Sequence, residues 1–295
     1  MAAAVAGGLA RPAGSLRPSR PLYTEDKEGR EGAGMMSVGK TGFRLLSGLL
    51  LACAGVQAHA ASRDLYFVTQ VFPPFITDSA DGNLDGALID ILREACRRAD
   101  WNCKVQAMVW KRALLTVSQG GADGLVLAQD VPERRAVMEL SKPVLTSSYG
   151  LYVKTDGLLR YRQPNDLAGK TMAVYGPSLS QTNSERLVQD VAGVNLTVEL
   201  DPETVLRKLA AGRYGNNAVA FSNDDVAGYW IKRDGLDNLR KLTEVKQLAY
   251  LYGFTRSRVK PGMLETFNQV LDGMCRDGSL ARLAAPSGIR LATCR

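Results

Sequence analysis

Apolar positions recur along this chain with two periods, and the two periods alternate. Leu65 to Val71 alternates weakly and predicts a strand, stopped by Pro73-Pro74. Turn signals follow at Asp81-Gly82-Asn83 and Asp85-Gly86. Leu88, Ile91, Leu92, Ala95 and Ala99 then fall at helical spacing. Lys104 to Met108 reads as a second strand. Ala113, Leu114 and Val117 give a short helix ended by Gly120-Gly121, and Leu125 to Ala128 is the short apolar strand expected in a covered sheet.

The same order restarts after Asp166. Thr171 to Tyr175 predicts a strand, followed by a Gly176-Pro177-Ser178 loop and a helix from about Ser180. Val194 to Leu200 predicts another strand, and Asp201 caps a helix that has Pro202 at its first position and ends at Gly212. Ala218 to Phe221 is a strand, Asp224 or Asp225 opens a helix, Tyr250 to Thr255 is a strand, and Glu265 to Met274 is the last long helix. Two rounds of βα alternation predict two α/β lobes, each a sheet flanked by helices.

The N-terminal region reads differently. Residues 35–60 have the pattern of a secretory signal: basic Lys40 and Arg44, an apolar run from Leu45 to Gly55, and the small-x-small site Ala58-His59-Ala60. The run is short for a bilayer span. Leu50-Leu51-Ala52-Cys53 resembles a lipobox, so processing at Cys53 is the rival to a soluble product starting at Ala61. Residues 1–34 suit no signal peptide and read as an N-terminal extension from a mis-called start codon, with translation starting at Met35 or Met36.

Residues 61–295 are enough for one large domain or two modest lobes. Residues 1–60 hold seven of the 37 Lys/Arg and four of the 30 Asp/Glu, which leaves a net +4 beyond them. That mild charge, with no basic cluster interleaved with aromatics, makes no case for nucleic-acid binding. His59 is the only histidine of the chain. A mature protein without histidine excludes Ser-His and Cys-His triads and His-containing zinc sites. Cys96, Cys103, Cys275 and Cys294 remain, an even count in an exported chain, which suggests disulfides. Three pairings are possible. Cys96–Cys103 is the local one and would staple a helix end to a strand start; Cys275–Cys294 would then pin the C-terminal tail to the last helix. Free buried thiols are the alternative, and the spacings fit no common zinc ribbon.

From Asp85 to Pro143 the cysteines seven apart, Trp110 seven further on, the helix–Gly-Gly–strand unit and the Arg-Arg after Pro132 come in one order. In that order they resemble the first lobe of bacterial extracellular solute-binding proteins of family 3, the polar amino-acid-binding proteins of ABC importers. The resemblance extends over almost the whole mature chain. It implies a type II periplasmic-binding-protein fold with two hinge crossings, near 149–153 and 246–252. Lobe one would be 62–150 plus 252–295 and lobe two 153–247.

The resemblance also implies a ligand set. Leu140-Ser141-Lys142-Pro143 stands where relatives have a Phe-Ser-x-Pro-like motif, and seven residues before Ser141 lies Arg134, the position of a carboxylate-binding arginine. A guanidinium presents a planar fork to a carboxylate, and a helix starting with Asp130 as cap would add its dipole. The alternative is that Arg134 and Arg135 are both solvated. Trp110 and Phe72 take the positions of aromatic walls, with core packing as the alternative. Asp224 matches an acid that accepts the ligand's ammonium, with helix capping as the alternative. Ser178 and Ser180 stand in the loop that holds the carboxylate from lobe two. Two departures thin the ammonium site: Leu127 and Gln129 replace the usual Ser or Thr, leaving Gln129 as the polar candidate, and Thr69 replaces an acid.

The implied protein is periplasmic and monomeric, with a small-molecule ligand and an inner-membrane ABC permease as partners, no cofactor, no metal and no catalytic residue. A periplasmic dehydratase of cyclohexadienyl acids, using Glu133 or Asp224, and a ligand-presenting sensor subunit are the competing expectations.

Overall fold

Parallel pairing of strands that are far apart in sequence builds the sheet that positions everything else. The computed structural model describes residues 63–79, 81–292 and 294; the extension, signal and lipobox readings lie outside them. Strand β1 (Arg63–Thr69) is followed by the short β2 (Thr77–Asp78) and β3 (Leu84–Asp85) and by helix α1 (Ala87–Arg98). The buried face of α1 is the periodic set Leu88, Ile91, Leu92 and Ala95 on which the helix was expected. Next come β4 (Trp101–Ala107), α2 (Trp110–Ser118), β5 (Gly124–Ala128), the single turn α3 (Pro132–Arg135) and β6 (Met138–Leu140). Strand β1 pairs in parallel with both β4 and β5.

Strand β7 (Leu145–Lys154) leads to β8 (Thr171–Tyr175), α4 (Leu179–Val188), β9 (Asn195–Glu199), α5 (Pro202–Ala210), β10 (Val219–Asn223) and α6 (Asp224–Asp234). Strand β11 (Leu239–Thr255), α7 (Met263–Arg276), α8 (Ser279–Ala284) and β12 (Arg290–Leu291) complete the chain. The sheet order is β4-β1-β5-β11-β7-β10-β8-β9, with β6 on β11 and β12 on β7. The antiparallel pair β7–β11 therefore stands in the middle, with one parallel group on each side. This is the two-lobed type II arrangement.

Strand β11 is far longer than the expected Tyr250 to Thr255. Its first half pairs with β7 through register shifts between Lys241 and Thr243 and between Glu244 and Lys246. Those bulges break the period-two alternation and hide the strand from pattern reading. Two caps also differ from expectation. The Asp201 side chain does cap α5, accepting from Thr204 N at 2.7 Å. Helix α6, however, is capped by Asn223, which accepts from Asp225 N and Val226 N, so Asp224 is its first residue. Before α3 the cap position is Val131, while Asp130 is held by Arg135. One turn of helix supplies little dipole, so that contribution to anion binding falls away.

Cys96 is bonded to Cys103, tying the end of α1 to β4, and Cys275 to Cys294, with Cα–Cα separations of 6.1 and 5.6 Å. Among the described residues no helix is long and apolar enough to cross a membrane, and no group of three or more His, Cys, Asp or Glu is placed to hold a metal.

Candidate functional site

In an open α/β sheet the carboxyl ends of the strands are where polar side chains meet a crevice. Here Gln70 follows β1, Gln129 follows β5 and Tyr175 ends β8. With Tyr149 of β7 and Tyr250 of β11 they enclose a cavity of about 30 Å³ between the two groups of strands. Phe72, Trp110, Leu127, Arg134, Ser178, Leu179 and Ser180 complete its wall. Six of the seven positions assigned from sequence are thus brought together: Phe72, Trp110, Gln129, Arg134, Ser178 and Ser180. At about 30 Å³ the cavity is narrow.

Arg134 is the one charged residue of this wall. Its Nε is buried without a hydrogen-bond partner, and among the described residues its guanidinium has no carboxylate within ion-pair distance. Burial pulls its pKa below the ordinary arginine value, but the group stays charged. Its guanidinium carbon lies 5.8 Å from the Trp110 ring centroid, a weak cation–π contact. Arg135 behaves differently: it is exposed and bonded to Asp130. The doubled arginine thus separates into one surface ion pair and one unpaired cation facing the cavity.

The aromatic walls are buried yet exposed to the cavity. Phe72 and Trp110 are 7% and 8% solvent-accessible, whereas Phe75 is fully in the core, stacked on Phe72 at 6.1 Å. Arg112 is exposed and outside the wall. The Ser178 hydroxyl is engaged as the cap of α4: it accepts from Ser180 N at 3.1 Å and donates to Tyr175 O at 2.7 Å. Burial raises the pKa of Tyr149, Tyr175 and Tyr250, so their hydroxyls remain protonated. Gln129 Nε2 donates to Tyr149 OH at 3.2 Å. Leu127 has φ 73°, a left-handed conformation that costs a branched residue about 1–2 kcal/mol and turns the end of β5 along the cavity.

Asp224 requires a correction. It lines neither this cavity nor the smaller one beneath it, which includes Ser222 and Asn223. Ser148 Oγ donates to its carboxylate, as do Tyr152 OH at 2.7 Å and Lys241 Nζ at 2.7 Å. Gly150 makes this possible, since a Cβ there would run into the Asp224 carboxylate. Spacing put an acid at the right place in the chain, but the sheet in front of it turned its side chain to the hinge strands. Thr69 is likewise away from the cavity, fully buried and donating to Val126 O.

The wall also holds Gln70, Tyr149, Tyr175, Leu179 and Tyr250, which sequence reasoning did not single out, and Leu127, which it read only as a departure from the usual Ser or Thr. The strand-end rule could have found Gln70 and Tyr175, which sit just after β1 and at the end of β8. Tyr149 and Tyr250 lie inside strands, where no local signal marks the cavity side.

A two-lobed sheet, crossed by two paired strands and closed over an arginine-lined cavity, defines a binding protein of the type II class. Residues 66–286 match the bacterial extracellular solute-binding proteins, family 3, and the chain belongs to that family. It is 22% identical over 245 residues to ABC transporter arginine-binding protein 1 of Escherichia coli (strain K12), covering 82% of this chain and 97% of that protein. An ancestral arginine-binding protein bound to arginine is similar in structure, with TM-score 0.67, 20% identity, and coverage of 76% and 97%. A histidine kinase sensor domain with similarity to periplasmic binding proteins has TM-score 0.68 at 18% identity, with coverage of 78% and 99%.

Proposed function

We propose that this chain is the periplasmic solute-binding component of an ABC importer, taking an amino acid or a related carboxylate between its lobes. The observation that carries this reading is Arg134: a half-buried guanidinium, lacking a carboxylate partner, on the wall of the interlobe cavity. Leaving such a cation unpaired is costly in a folded protein, and an anionic guest removes the cost. The lobes are divided as 62–150 plus 252–295 and 153–247. The solute meets Arg134, Trp110, Phe72 and Gln129 first, and closure brings Ser178, Ser180 and Tyr175 onto it. Contacts made only when closed favour the closed form, which a membrane permease then recognises. The protein acts as a monomer.

A dehydratase needs an acid over its substrate. Glu133 is exposed and Asp224 is held on the hinge strands, so neither expected acid reaches the cavity wall.

The test is thermal unfolding of the exported chain with amino acids, opines, polyamines and small carboxylates. At least one carboxylate-bearing compound should raise Tm in the native protein. Arg134→Ala should abolish that rise with circular dichroism unchanged. A rise retained in the folded variant would discard the reading.

A further inference from the structure

Two features of the cleft point to one class of guest. The first is charge. Of the residues lining the cavity and the smaller one beneath it, Arg134 alone is charged, and none is a carboxylate. The acid expected to take an ammonium, Asp224, is neutralised by Lys241 at 2.7 Å. All three of its partners, Ser148, Tyr152 and Lys241, lie on β7 and β11 against the helix that carries it. Lys241 shares lobe two with Asp224, so parting the lobes would leave that ion pair in place.

The second is an apolar groove at the mouth. A space of about 530 Å³ opens beside the Arg134 cavity and shares Gln70, Phe72, Trp110 and Tyr175 with it. Its rim includes Val71, Val109 and Leu200, which are 39%, 77% and 83% exposed. Val109 is the cap residue of α2 and supplies no capping bond, at a position where Ser or Asp would stabilise the helix. Its valine therefore serves neither the core nor the helix. The two charged residues of the groove are Lys111, which is exposed, and Asp201, which caps α5 through Thr204.

We infer that the solute is an apolar monocarboxylate without an α-ammonium, its carboxylate on Arg134 and its aromatic or branched body lying past Trp110 and Tyr175 into the groove. This rests on the solute-binding reading above and narrows its ligand. A zwitterion would have to bury its ammonium beside a guanidinium with no anion to meet it. An apolar body gains the free energy of covering the exposed valine and leucine surface.

Isothermal titration of matched pairs tests this: 3-phenylpropanoate against L-phenylalanine, 4-methylpentanoate against L-leucine, and 5-guanidinopentanoate against L-arginine. We expect 3-phenylpropanoate to bind at least about tenfold tighter than L-phenylalanine. Asp224→Asn should leave both within about twofold. Val109→Ser, which gives α2 a capping hydroxyl and so remains folded, should weaken 3-phenylpropanoate by about three- to fivefold. An amino acid that binds as tightly as its des-amino partner or more tightly, or amino-acid binding lost in Asp224→Asn, overturns this inference while the solute-binding reading stands. An unchanged affinity in Val109→Ser overturns the place given to the groove. Binding of no member of any pair removes the solute-binding reading and this inference with it.

Discussion

The Tyr175 hydroxyl donates a hydrogen bond of 2.9 Å to the side-chain oxygen of Gln70. Gln70 leaves β1 and Tyr175 ends β8, so the bond joins the two groups of strands across the cavity. The ring of Tyr175 also faces Phe72, with centroids 6.2 Å apart. The pair lines both the Arg134 cavity and the apolar groove. A neutral bond of this kind contributes about 0.5–1.5 kcal/mol, enough to bias closure without locking it.

Tyr175→Phe removes that bond and keeps the ring. The closed form should lose population, and affinity for a bound carboxylate should fall about two- to tenfold. Calorimetry gives the affinity, and small-angle scattering of the free protein should show a larger radius of gyration than the native chain.

Gly150→Ala should destabilise the protein by about 1–3 kcal/mol, because the added methyl meets the Asp224 carboxylate. Asp224→Ala in the same chain should recover part of the loss. Urea unfolding of the two single variants and the double variant measures this coupling, and additive losses would show that the two sites are independent.

Each disulfide constrains a loop of the unfolded chain. The sequence separations are 7 for Cys96–Cys103 and 19 for Cys275–Cys294. Chain-entropy arguments give about 2.5 and about 3.3 kcal/mol respectively. The double Cys→Ala variant of each pair should lose stability in that order in chemical unfolding, the tail bridge costing more.

Acid should weaken the α1 corner. Bonds from Arg97 and Arg98 hold the Glu94 carboxyl down to about 2, below its ordinary 4.5. A carboxyl lowered by folding adds stability that is full above its unfolded pKa and lost as pH falls through the folded value. The loss therefore falls between about pH 4.5 and 2. Glu94 is near the surface, so screening limits the effect to about 1 kcal/mol. Unfolding free energies of the native chain and Glu94→Gln should converge across that window.

Much of the fold was legible because local chemistry and burial agree. Pro202 after Asp201 predicted the start of α5, and the apolar spacing from Leu88 to Ala95 predicted the buried face of α1. Where a bulge shifts the pairing, as between Lys241 and Thr243, the alternation that marks a strand disappears, and β11 was seen only at its end. The site divides in the same way. Arg134 lies on the cavity wall, where its position at the single turn after β5 also fixes which way it points. Asp224 does not, because its direction depends on Gly150, 74 residues earlier, and on Lys241 across the ladder. Sequence spacing locates a residue along the chain; which way its side chain turns is decided by partners that spacing does not contain.

Both crossings of this molecule are hydrogen-bonded strands, paired with each other from Leu145 opposite Tyr250 to Lys154 opposite Leu239. Two loose tethers would permit swinging, sliding and swivelling at once. A ribbon laced along its length resists sliding and leaves twist as its soft coordinate. A single pair of spin labels, one on α1 and one on α5, would then suffice to follow the whole movement of the protein.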